Sequence, residues 1–153
     1  MIKFIDGNIF DSSADIICHQ CNNRGAFNSG IAREVRERYP NVYESYFDDY
    51  QDGRLKLGYV NFTLADSCRV IANMVAQDGY GYDGKKYTDY VALQKCLKEV
   101  RRFADMMHNE YPVIAFPYKM SCVRGGGDWN VVYNMIENTF EGFDVEIWRF
   151  DNG

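Results

Sequence analysis

No stretch of the 153 residues approaches the roughly 18 consecutive apolar positions of a membrane-spanning helix. The opening "MIKFIDGNIF" also lacks the cationic start and apolar middle of a signal peptide, so a cytoplasmic protein without membrane contact is expected. Excess positive charge is missing too. With 17 basic against 22 acidic residues the net charge is -5, which argues against non-specific or sequence-specific nucleic-acid binding and against anionic membranes. Any anion must therefore be held locally. Five cysteines, an odd number at 18, 21, 68, 96 and 122, fit reduced cytosolic thiols better than a disulfide framework. Cys18, His19 and Cys21 lack a second ligand pair at zinc-like spacing, so no metal and no cofactor is expected. The familiar phosphate fingerprints, GxxxxGK[ST] and a GxGxxG after the first strand, do not occur, which disfavours nucleoside triphosphate chemistry.

What is present is enough for one domain with its own core, residues 1–153, at 46% hydrophobic composition. "IKFI" predicts a short strand, and "DIICH" a strand apolar on both faces, suited to the centre of a helix-covered sheet. Ile31, Val35 and Tyr39 recur at helical spacing from Gly30, and Pro40 is expected to end that helix. Asn41 then caps a second helix that stops at Gly53. "YVNFTL" and "RVIANMVA" read as strands joined by a turn. A glycine- and tyrosine-rich loop follows, with Tyr80, Tyr82 and Tyr87 either a lid or loop anchors, and then a helix from Thr88 to about Asn109. "VIAF", the helix "NVVYNMIENTF" and the strand "VEIWRF" complete the alternation. The expected class is α/β, a largely parallel sheet with helices on both faces and, as one domain, a monomer.

Two polar loops stand out. "HQCNNRGAFNSG" leaves the second strand and "PYKMSCVRGGGDW" leaves the strand "VIAF", and both run into helices. An open α/β sheet forms its ligand crevice at such strand ends, and glycine-bearing turns with helix N-termini offer backbone N–H groups to a phosphate. Glycines serving only tight turns are the alternative.

"GNIFDSSADIICHQCNNRGAFNSGIAREVRERYP" and "PYKMSCVRGGGDWNVVYNMIENTF" resemble the two signature stretches of macro domains, the ADP-ribose-binding family, and among them the ADP-ribose-1''-phosphate phosphatase-like and phage subgroup. The resemblance spans nearly the whole chain. It implies a three-layer α/β/α macro-domain fold with a central mixed, largely parallel sheet, and ADP-ribose or an ADP-ribosylated molecule as partner. It assigns Asp15, with the backbone of Ile16, to the adenine amino group, and Asn22 to the distal ribose. Gly25, Ala26, Phe27, Ser29, Gly30 and Ile31 become the loop over ribose and diphosphate. Ser121, Cys122, Val123, Arg124, Gly125, Gly126 and Gly127 become the facing cradle, and Trp148 or Phe150 the ring on adenine. The pattern departs from the family at Ser121 and Val123, which stand where glycines are usual, and at Asn28.

The reaction implied is hydrolysis of ADP-ribose 1''-phosphate or of an ADP-ribosyl ester, with His19 and Asp128 handling protons. His19 is equally readable as a structural imidazole, and Asp128 as a helix N-terminal carboxylate. His108, on the long helix, reads as solvent-facing. The lysine-and-acid pair of one deADP-ribosylating branch is incomplete: Lys85 or Lys86 supplies an amine, but Gly125 stands at the acid's position. A non-catalytic ADP-ribose reader is the alternative, and an interaction domain with a vestigial cleft a third.

Overall fold

The computed structural model describes residues 1–81, 85–107, 109–122 and 125–150. Six strands form one sheet in the order β1-β6-β5-β2-β4-β3. They are β1 (Ile2–Asp6), β2 (Ile16–Asn22), β3 (Val60–Asp66), β4 (Arg69–Gln77), β5 (Val113–Pro117) and β6 (Asp144–Arg149). Every neighbouring pair is parallel except the hairpin β3–β4. The helices are α1 (Gly30–Arg38), α2 (Pro40–Gln51), α3 (Tyr90–Asp105) and α4 (Trp129–Thr139). None of the described helices is long and apolar enough to cross a membrane.

The period-two pattern of the central strands separates two apolar layers. Ile16 and Cys18 of β2 face Leu93, Leu97, Val100 and Ile136 of α3 and α4. Ile17 and Cys21 face Val35, Val42 and Tyr46 of α1 and α2. Helices thus cover both faces of a mixed, largely parallel sheet, the three-layer α/β/α arrangement. The buried stripe of α3 is Ala92, Leu93, Cys96, Leu97, Val100 and Ala104; Met107, at the same helical spacing, lies beyond the end of the helix.

Chain order positions the cleft. From β2 the chain moves through α1 and α2 to β3 and β4 on one side of β2, then crosses through α3 to β5 on the other side. The strand order reverses between β2 and β5, and the loops leaving these strands diverge to opposite faces, which opens a crevice at their carboxyl ends.

Several boundaries differ from the sequence reading, among them those of α3, expected from Thr88 to about Asn109 and observed over Tyr90–Asp105. β2 continues through His19 to Asn22, so the first loop is shorter than its polar composition implied. Gln20 and Asn22 are strand residues whose side chains turn to hydrogen-bonding partners rather than to solvent. Pro40 opens α2 instead of merely closing α1, because its missing N–H costs nothing in a first helical turn. Asn41 consequently lies inside the helix and donates to the Leu64 carbonyl at 3.0 Å rather than capping.

Candidate functional site

The carboxyl ends of β1, β2, β4, β5 and β6 converge on a cleft of about 790 Å³. Asn22, Ala26, Asn28, Ser29, Gly30 and Ile31 form one wall, and Ser121 and Gly125 belong to the facing one. The two loops singled out in the sequence therefore meet across one hollow.

Asn22 organises its own loop. Its Oδ1 accepts from the Arg24 N–H at 2.9 Å and from the Tyr46 hydroxyl at 3.1 Å, and its Nδ2 donates to the Ala26 carbonyl at 2.8 Å. Tyr46 also donates to the Asn22 carbonyl at 2.6 Å, and burial pushes its phenol far above the usual range, so it stays a donor. Gly25 and Phe27 lie beneath the wall. Gly25 turns at φ +74 with the Tyr50 ring directly under it, so a Cβ would stand 2.7 Å from that ring. Phe27 is buried and stacks on Tyr46 at 4.3 Å. The first amides of α1 receive no side-chain cap from Ser29, and they border the cleft at Gly30 and Ile31.

The second loop meets expectation only in part. Cys122, Gly126 and Gly127 stand outside the cleft wall, while Val123 and Arg124 lie outside the described residues. The glycines answer to packing: Gly126 has φ +72, and a Cβ there would come within 2.8 Å of the Lys85 carbonyl oxygen. The Gly127 N–H is spent on the Ser121 carbonyl at 2.8 Å. Gly125 accepts from the N–H groups of Tyr87 and Thr88, which ties the loop to the segment before α3. Ser121 adopts φ +74, in the left-handed region that favours glycine, and its hydroxyl donates to Gln20 Oε1. Asn28 does not use left-handed geometry; among the described non-glycine residues only Lys119 and Ser121 do.

Asp15 requires correction. It precedes β2, at the edge of the sheet opposite the cleft, where its carboxylate accepts from the Val113 N–H at 2.8 Å and from Asn109 Nδ2 at 3.1 Å. Ile16 is fully buried in the core. Neither borders the cleft. The turn after β1 does, through Gly7, Asn8 and Ile9, and so does Glu34 of α1. Asn8 Oδ1 accepts from the Phe10 N–H at 2.9 Å, and its Nδ2 lies 3.4 Å from Glu34 Oε1. The legible signal was the turn "DGNIF" after a strand: in a parallel sheet the turn after every strand opens on the same edge.

Trp148 and Phe150 both border the cleft. The Trp148 indole is held by its N–H donating to Glu146 Oε1 at 2.9 Å, and Gly7 leaves room for its ring, since a Cβ would stand 3.2 Å away. At the end of β4, Gln77 accepts from Gln20 Nε2, which also donates to Thr88 Oγ1 at 2.9 Å. Gln20, Gln77, Tyr118 and Lys119 were not anticipated as wall residues, because amides and a lysine in a loop carry no distinctive spacing.

His19 borders the cleft yet is only 2% exposed, with Nε2 2.5 Å from Asn73 Oδ1. Burial lowers its pKa to about 4, against the opposing hydrogen bond to Asn73, so the ring is neutral at pH 7. Asp128 lies outside the cleft wall and caps α4, its carboxylate accepting from the Asn130 N–H at 2.9 Å. The structure does not join His19 and Asp128 into a proton-handling pair. Lys85 and Lys86 are not in the wall either, and the Lys86 ammonium sits over the Tyr90 ring at 4.0 Å. Of the tyrosines, Tyr80 borders the cleft, Tyr87 does not, and Tyr82, like His108, lies outside the described residues. No group of three or more His, Cys, Asp and Glu side chains among the described residues is arranged to hold a metal ion.

No family model matches the chain. A DNA ADP-ribosyl glycohydrolase of Thermus aquaticus is 24% identical over 99% of this chain, which spans 41% of that relative's length. A macrodomain protein from Streptomyces coelicolor superposes with a TM-score of 0.82 at 24% identity, all of each chain being covered. Thermosipho africanus DarTG, solved in complex with ADP-ribose, superposes with a TM-score of 0.76 at 15% identity over 97% of this chain and 41% of that one. Strand order, the helices on both faces and these superpositions agree that the fold of this chain is the macrodomain fold.

Proposed function

We propose that residues 1–153 act as one macrodomain whose cleft binds ADP-ribose, free or attached to a macromolecule. The observation that carries this reading is the order of groups along the cleft. Trp148 is the penultimate residue of β6 and Gln77 ends β4, with β5 and β2 between them. Three strand spacings separate them by about 14 Å, a span suited to an extended nucleoside diphosphate sugar. The aromatic pair Trp148 and Phe150 offers a stacking surface for a base at one side. The uncapped start of α1 and the Lys119 amine offer positive potential between the walls, and the amides and hydroxyl of Gln20, Gln77 and Ser121 offer neutral hydrogen-bonding groups at the other. A structural relative solved with ADP-ribose supports the ligand.

Recognition is better supported than turnover, because His19 is buried and neutral and Asp128 is committed to its helix. Hydrolysis of an ADP-ribosyl bond is the second reading, favoured by the resemblance to a DNA ADP-ribosyl glycohydrolase. Its proton traffic would fall to His19, Glu34 and Lys119 among the described wall residues.

Thermal unfolding with ADP-ribose tests the first reading. A hundredfold excess over Kd adds about 2.7 kcal/mol, which for a domain of this size raises Tm by roughly 5–11 °C. No shift at millimolar ADP-ribose rejects ADP-ribose as the ligand. Incubation with an ADP-ribosylated oligonucleotide, an ADP-ribosyl protein ester and ADP-ribose 1''-phosphate then separates the readings. A reader leaves all three intact, and release of ADP-ribose or phosphate from any of them establishes a hydrolase and its linkage.

A further inference from the structure

A line of buried hydrogen bonds leads from His19 away from the cleft. Asn73 of β4 stands opposite His19 of β2, and Asn61 of β3 stands opposite Asn73. All three are at most 5% exposed. Asn73 Nδ2 donates to Asn61 Oδ1 at 2.9 Å, and Asn61 Nδ2 donates to Asp49 Oδ2 at 2.7 Å, on α2. Tyr59 and Thr63 reinforce the two acceptors: the Tyr59 hydroxyl donates to Asp49 Oδ2 at 2.7 Å and Thr63 Oγ1 to Asn61 Oδ1 at 2.6 Å. Arg54 lies 3.8 Å from the other Asp49 oxygen.

The direction of this line follows from its end. An ionised carboxylate only accepts, so Asn61 must turn its NH₂ toward Asp49 and its oxygen toward Asn73. Asn73 must then turn its NH₂ toward Asn61, which leaves its oxygen for the imidazole, and an oxygen acceptor requires a proton on Nε2. Reversing any amide would set two donors or two acceptors against each other within the buried line.

We propose that Asp49 is a positioning residue that acts through Asn61 and Asn73 to hold His19 as the neutral Nε2–H tautomer. The hydrogen-bonding capacity left to the ring is then the Nδ1 lone pair; the Cys21 thiol lies beside the ring, 3.8 Å from Nδ1 and 3.5 Å from Nε2. His19 thus meets a cleft ligand as an acceptor, suited to a hydroxyl or amide N–H donor. That last role rests on the cleft being the ADP-ribose site, whereas the tautomer does not.

Nitrogen-15 NMR of histidine-labelled protein tests it, with His108→Asn present so that a single ring is observed. Without ligand the ring is expected to show one neutral form protonated at Nε2. Asp49→Asn supplies an amide that both donates and accepts, so the line loses its direction and the Nδ1–H form becomes populated. Asn61→Ala, which leaves Asp49 in place but removes the link, is expected to give the same mixture. A parent ring protonated at Nδ1 overturns the proposal, as does an unchanged single Nε2–H form in either folded variant. On saturation with ADP-ribose the Nδ1 resonance should move, and a bound ligand that leaves it in place removes the acceptor role. Failure to bind ADP-ribose would instead sink the functional reading and leave the tautomer result standing.

Discussion

Burial of His19 has a consequence for stability that its neighbours do not share. Its pKa is about 4 in the folded chain and about 6.5 when unfolded. Above pH 6.5 the ring is neutral in both states and contributes no slope. Between pH 6.5 and 4 the unfolded state binds a proton that the folded state refuses, so stability falls as the pH falls. The loss is on the order of 3 kcal/mol across that window. His19→Gln should flatten this part of the profile, measured as urea midpoints at pH 7, 6, 5 and 4 against the parent. Parallel profiles would show that the ring is hydrated enough to charge in place. His19 was legible in the sequence as a residue at a strand end near the ligand. Whether it was a structural imidazole or a proton handler was not, because its burial depends on Phe27 and Asn73, one supplied by a loop and the other by a strand 54 positions later.

Asp128 shows how an element claims a residue that chemistry also suggested. It precedes Trp129, the first residue of α4, in extended geometry, and its carboxylate satisfies the Asn130 N–H, which has no acceptor within the helix. Asp128→Ala should cost about 1 kcal/mol of stability and Asp128→Asn only a few tenths, since asparagine caps nearly as well. Neither should change ADP-ribose affinity beyond twofold; a tenfold loss in Asp128→Asn would return the carboxylate to the site. Most strands and helices were legible for the same local reasons. Period-two runs and the apolar stripe from Leu93 to Ala104 report their own geometry, whereas Pro40 marked the junction of two helices without showing which of them it belongs to. The placement of Asp15 was not local. It sits just ahead of the amino end of β2, about 13 Å along the strand from His19, the first β2 residue to border the cleft. A motif match within one strand does not say which end faces the ligand; the direction of the whole sheet does. Of the triple glycine 125–127, read as a phosphate cradle, Gly125 borders the cleft, and the close approach of Thr88, Lys85 and Ser121 to the three positions leaves no room for a side chain at any of them.

The two apolar layers share one sheet, and β2 contributes to both, with Cys18 in the α3–α4 layer and Cys21 in the α1–α2 layer. The layers lie on opposite faces of the sheet but are joined through β2, so they should open together, as cooperative domains of this size do. The five unpaired cysteines make this measurable. Only the thiolate is alkylated. Cys68 is exposed in the turn between β3 and β4 and should react at once with iodoacetamide at pH 8. Cys122 is half-buried, and burial, with the nearby Asp128 carboxylate, pushes its pKa up to about 11. About one in a thousand Cys122 side chains is then ionised at pH 8, so it follows slowly. Cys18, Cys21 and Cys96 are buried with thiols raised by desolvation and should react only after unfolding. Peptide mass analysis over time should therefore show Cys68, then Cys122, and then Cys18 and Cys21 at one common rate that rises with urea. If Cys21 is labelled well before Cys18, the α1–α2 layer detaches on its own. In that case the first loop, held to α2 by Tyr46 and Tyr43, is carried by a separately opening unit, and ADP-ribose should slow Cys21 labelling without slowing Cys18.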